Sequence, residues 1–119
     1  MAAEITFGFT LSYAKTGYQS VSKSGSALSM DVSGGKVYSG DQNVGTSEET
    51  VNKGDLSNIG WVIVENNSAN YLELFVTSSG TACARIYGGK KAVIPVYCTT
   101  LYAKANTAAV DATFTLIEQ

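Results

Sequence analysis

The chain has 119 residues, enough for one hydrophobic core and too few for two ordinary ones, so it reads as one domain over 1–119. Hydrophobic residues make up 45% and charged residues 15%, which excludes an intrinsically disordered chain. A net charge of −2 gives no electrostatic case for nucleic acid or an anionic membrane as partner, and no histidine is present to serve as base or metal ligand.

The opening Met-Ala-Ala-Glu-Ile-Thr-Phe has no basic n-region and no apolar h-region, so the expectation is synthesis and folding in a cytosol. No stretch approaches the roughly 20 apolar residues that would span a bilayer as a helix. The first strand is the cleanest periodic signal. Ile5, Phe7, Phe9, Leu11 and Tyr13 alternate with Thr6, Gly8, Thr10 and Ser12, which places one face on a core and the other on something polar. Lys15-Thr16-Gly17 closes it as a turn. Tyr18 to Ser26 is polar, with Val21 its only aliphatic residue, and reads as a weak strand or an exposed loop. Alternation returns at Leu28, Met30 and Val32. Ser33 to Lys36 turns the chain into a strand at Val37-Tyr38, and Gly40 to Asn43 turns it again. Val44 to Val51 carries Thr46, Glu48, Glu49 and Thr50, the composition of a charged edge strand.

Ile59 to Val64 is a continuous apolar run around the sole tryptophan, Trp61. Val62, Ile63 and Val64 are β-branched and the run is short, so it reads as a strand buried on both faces. Asn66 to Asn70 turns the chain, and Tyr71 to Val76 follows as the second arm of an expected hairpin. Asn66-Asn67-Ser68 matches a glycosylation acceptor but reads as part of that turn. Strands then follow at Thr81–Tyr87, Ala92–Cys98, Leu101–Ala105 and Val110–Ile117. Pro95 puts Ala92–Cys98 at an edge or a bulge, because it cannot donate a ladder hydrogen bond. No window has a helical period with caps, and turn signals recur at about 8–12-residue spacing. The expected fold class is all-β: an antiparallel sandwich or barrel of about eight to ten short strands.

Residues that could carry chemistry are few. Without histidine there is no Ser-His or Cys-His pair. Glu48 and Glu49 are adjacent, so on a strand they point apart and cannot share one site. No phosphate loop, dinucleotide fingerprint or zinc spacing occurs. The reading is a non-enzyme with no catalytic residue, no cofactor and no metal. If Lys90-Lys91 centres a hairpin, Cys83 and Cys98 face each other across it, and a disulfide becomes geometrically conceivable. The alternative is two buried thiols packed as small hydrophobes. Seven tyrosines and Trp61 suit either half-buried strands and subunit contacts or a platform for a sugar.

Several segments are similar to small virion structural proteins of tailed bacteriophages. Gly54-Asp55 followed by Ile59-Gly60-Trp61-Val62, a strand ending at Asn66, Asn70-Tyr71-Leu72-Glu73-Leu74, and Leu101 to Val110 carry the resemblance. It covers roughly residues 44 to 118, and the two cysteines depart from the pattern. It implies a jelly-roll-like sandwich on a virus particle: a capsid decoration (cement) protein first, then a head-fibre or tail, receptor-contact component. A carbohydrate-binding β-sandwich is the reading outside virions. The implied partner is the major capsid protein, the implied location the capsid surface after synthesis in the host cytoplasm, and the implied oligomer a trimer. The Ile5–Tyr13 strand could bury its apolar face in its own sandwich or against a neighbouring subunit. In the second case Ile5, Phe7, Phe9, Tyr13 and the nearby Tyr18 are the candidate interface residues.

Overall fold

The computed structural model of the protein describes residues 5–31 and 34–119. The expected strand end at Val32, the turn residue Ser33 and the first four residues lie outside them. Among the described residues the secondary structure is all β, in ten strands. The chain divides into two compact units, Met1–Val32 and Ser33–Gln119.

The first unit is a two-stranded antiparallel ribbon of β1 (Ile5–Tyr13) and β2 (Val21–Met30). Its turn is closed by the Tyr18 amide donating to the Lys15 carbonyl at 3.0 Å, with Gly17 at φ 84°. The weak polar stretch after Tyr18 is therefore the start of a full strand. Parity explains why it was hard to read. Val21 is odd-numbered and Met30 even, so a regular strand would aim them at opposite faces. Between the pairs Phe7↔Leu28 and Phe9↔Gly25, β1 advances two residues while β2 advances three. That bulge in β2 flips its parity, so Met30 opposite Ile5 and Val21 opposite Tyr13 lie on one face.

The second unit is a sandwich of two four-stranded sheets. One has the order β3 (Val37–Val44), β10 (Val110–Glu118), β5 (Ile59–Asn66), β8 (Lys91–Cys98). The other runs β4 (Glu49–Thr50), β9 (Tyr102–Ala105), β6 (Leu72–Phe75), β7 (Ala84–Ile86). The pairs β3/β10, β4/β9, β5/β8 and β6/β7 are nested, as in one long hairpin whose tip is the β6–β7 loop. Rolled up, that hairpin sends successive strands to alternate sheets, which is the jelly roll. The expected hairpin of Ile59–Val64 with Tyr71–Val76 does not form, because β5 and β6 belong to different sheets and residues 67–71 carry the chain from one to the other. The expected edge strand Val44–Val51 is likewise two pieces: Val44 ends β3, and only Glu49–Thr50 pairs, at the edge of the second sheet.

The core follows from period-2 alternation on each sheet. Val110, Ala112, Phe114 and Leu116 of β10 point inward, with Val64 and Val62 beside Phe114 and Leu116. Leu72 and Leu74 of β6 contribute from the other sheet, flanked by Ala105 and Ala103. Strand β5 is central and buried over Ile59–Val62, as its apolar run implies. Pro95 sits on β8, at the edge of its sheet and next to the register shift between Ile59 and Trp61.

Two buried polar side chains pin the loops. The Asn66 amide nitrogen donates to the carbonyls of Asn70 (2.8 Å) and Ile86 (2.9 Å), and its oxygen accepts from the Ser68 amide (3.0 Å). It thereby ties the β5–β6 crossover to β7 of the opposite sheet. Gly88 packs just as tightly: a Cβ there would fall 2.2 Å from the Ala69 carbonyl oxygen, which leaves room only for glycine. Glu118, at the end of β10, accepts from the amides of Ser57 (3.0 Å) and Gly35 (3.1 Å) and from the Ser57 hydroxyl (3.1 Å). These bonds, the Ser57 amide first, hold the Glu118 carboxyl below its ordinary value.

Two consequences are measurable. Replacing Asn66 by Ala strands the buried carbonyl of Ile86 and should lower the unfolding free energy by about 1–3 kcal/mol in urea titrations. For Glu118 the folded-state pKa is depressed. Its stabilisation is therefore present above the unfolded carboxyl value, about 4.3, and is lost as pH falls through the folded value. Thermal melts from neutral to acid pH should show Glu118→Gln with a shallower acid-side decline than the wild type.

Candidate interaction surface

On the ribbon, the apolar side chains of β1 all share one face, and the opposite face carries Thr6, Gly8, Thr10 and Ser12. Ile5 and Phe7 are half-buried. Beyond the bulge the apolar face is open: Phe9 is 46% exposed, Leu11 60% and Tyr13 46%. Tyr18 lies in the turn, exposed, with the Lys15 ammonium 5.0 Å from its ring. Thus four of the five candidate interface residues lie on one face and Tyr18 on the turn beside it. Leu11, Val21 and Met30 extend the surface. Leu11 shares the parity of Phe9 and was there to be included; Val21 and Met30 were hidden by the bulge.

The outer face of the β3–β10–β5–β8 sheet carries a second apolar strip. Register aligns Val37, Ile117, Trp61 and Pro95 in one row, and Ser39, Thr115, Ile63 and Val93 in the next. Val37 and Val93 are exposed, as is Tyr97 at the end of β8, whereas Trp61 is buried although its register turns it away from the core. The following row is polar. Asp41 accepts from the Thr113 hydroxyl at 2.7 Å, and Lys91 pairs with Glu65 at 3.1 Å.

On the second sheet, Arg85 pairs with Glu73 at 2.9 Å and lies 4.1 Å over the Tyr71 ring, which meets Tyr87 edge-on at 6.1 Å. Hydrogen bonding to Glu73 raises the Arg85 pKa further above its ordinary value. An open cleft of about 350 Å³ adjoins this group, lined by Thr46, Tyr71, Glu73, Lys104 and Asn106 among others. A sugar platform built from tyrosines and Trp61 together is not assembled. Trp61 is buried in the other sheet, and the guanidinium of Arg85 covers a face of Tyr71.

Glu48 and Glu49 hold separate partners. Glu48 accepts from the Ser78 hydroxyl and the Ser79 amide, while Glu49 accepts from Gln42 and the Gly45 amide. Among the described residues no group of three or more His, Cys, Asp or Glu is placed to hold a metal ion. Cys83 and Cys98 are free thiols. The hairpin that would set them face to face does not exist, since β7 pairs with β6 and β8 with β5. Cys83 precedes β7 and is exposed; Cys98 ends β8 and is half-buried. Burial pushes the Cys98 thiol up, with the neighbouring Cys83 adding to the effect.

No protein-family profile, curated protein or solved structure gives a significant match to the chain. The thiols offer a direct check of the local geometry. A disulfide-exchange reagent should label Cys83 rapidly and Cys98 at least about tenfold more slowly, because Cys83 is exposed while Cys98 is half-buried with its thiol pKa raised by burial. Equal rates, or no labelling of the unreduced protein, would contradict this arrangement.

Proposed function

We propose that this protein is a non-enzymatic virion structural protein of a tailed phage, a cement protein that binds the assembled coat shell. The observation that carries the reading is an eight-stranded jelly roll joined to an amphipathic ribbon whose apolar face is open beyond its bulge. An open apolar face of this kind suits cover by a partner, because a two-stranded hairpin by itself is at best marginally stable in water. The resemblance of residues 44 to 118 to phage virion proteins supplies the kind of partner, the major capsid protein.

The mechanism is linkage. A protein that binds the assembled shell and not free coat subunits shifts the equilibrium toward the shell by its own binding free energy. Few charges on the open face mean that little desolvation cost opposes a permanent contact.

Co-sedimentation with coat shells of the encoding phage tests this. The protein should pellet with assembled shells, stay in solution with unassembled coat subunits, and raise the temperature at which shells dissociate. Remaining in the supernatant with shells would sink the cement reading, and pelleting only with isolated tails would transfer the protein to the tail or receptor-contact role.

A further inference from the structure

We infer that the cleft beside Tyr71, on the sheet of β4, β9, β6 and β7, binds a sugar acid: a hydroxylated ligand bearing one carboxylate. The site uses no residue of the ribbon and needs no coat shell.

Backbone hydrogen bonds at the end of β9 hold the cleft in shape. The Ala105 amide donates to the Gly45 carbonyl at 2.9 Å, and the Asn106 amide to the Tyr71 carbonyl at 3.0 Å. Thr46, Asn106 and Tyr71 are thereby fixed as walls around about 350 Å³. That volume lies at the small end of the range for ligand sites, about 300–1,000 Å³.

Charge selects the ligand. Register sets Glu73 between Arg85 on β7 and Lys104 on β9. Arg85 takes the carboxylate, its Nε and Nη2 both donating to Glu73 Oε2 at 3.3 and 2.9 Å. Lys104 is left without an ion pair among the described residues, its ammonium 5.9 Å from the Phe75 ring. The row therefore presents one uncompensated positive charge on a half-buried side chain that lines the cleft. A monoanion answers it. A phosphate dianion would be opposed by Glu73, and a divalent metal ion would meet a single carboxylate and an ammonium.

The other lining groups call for hydroxyls. Glu73 Oε1, the Asn106 side-chain amide and the Thr46 hydroxyl have no hydrogen-bond partner among the described residues. A carboxylate oxygen only accepts, whereas an amide and a hydroxyl both donate and accept, a set that several sugar hydroxyls satisfy together. The half-buried Tyr71 ring, with Arg85 4.1 Å over it, supplies an apolar wall for the sugar ring.

Amide chemical shifts of the full chain, titrated with sodium glucuronate to about 50 mM, test the site. The amides of Thr46, Lys104, Asn106 and Thr107 should shift together with one dissociation constant of roughly 1–10 mM. Glucose, which lacks the carboxylate, and sodium acetate, which lacks the hydroxyls, should each bind about fivefold more weakly or less. Lys104→Gln should still unfold cooperatively on heating yet bind glucuronate no better than glucose. Lys91→Gln, on the other sheet, should bind glucuronate as the wild type does. Absent shifts at these amides, acetate or glucose binding as well as glucuronate, or an unchanged constant in Lys104→Gln would each overturn the assignment. None of these outcomes bears on whether the chain pellets with coat shells.

Discussion

A long antiparallel ladder has two faces and buries neither until it folds over on itself. In residues 34–119 this constraint governs the rest of the structure. The nested pairs from β3/β10 to β6/β7 are one such ladder, and rolling it brings Phe114, Leu116, Val62 and Val64 against Leu72, Leu74 and Ile86. Each crossover between sheets must then run without a ladder of its own, so its polar backbone needs other partners. Asn66 provides them at the β5–β6 crossover, and Glu118 gathers the chain before β3 and the loop before β5. The charged and amide side chains that are buried are therefore structural pins, and their hydrogen bonds are satisfied.

Sequence patterning made the strands legible and left their partners obscure. Val110–Ile117 and Ile5–Tyr13 alternate cleanly, and the structure places both as strands; the apolar face of the first lies in the core, whereas that of the second is exposed from Phe9 onward. The β-branched run at Ile59–Val64 became the central strand it resembled. Pairing was a different matter. A polar turn between two apolar runs looks the same whether the chain doubles back in one sheet or crosses to another, so Asn66–Asn70 read as a hairpin loop. The same ambiguity set Cys83 against Cys98 in a hairpin that the roll does not contain. Local pattern carries no information about which sheet the next strand joins; long-range nesting decides it.

The ribbon shows a second limit of pattern. Its β2 strand hid behind a parity change, because a bulge lets Val21 and Met30 share a face that strict alternation denies them. That Ile5, Phe7, Phe9 and Tyr13 share one face was legible because β1 is regular; that Val21 and Met30 join them on it was not. Of the candidate site as a whole, β1 was thus readable from residues, while the apolar strip across β3, β10, β5 and β8 needed the register of four strands distant in sequence.

The proposed role is tested most directly by cryo-electron microscopy of intact particles of the phage to which that proposal assigns the chain. It predicts jelly-roll density at regular positions on the outer surface of the coat lattice. Density confined to the tail, or no density for this sandwich anywhere on the particle, would contradict it.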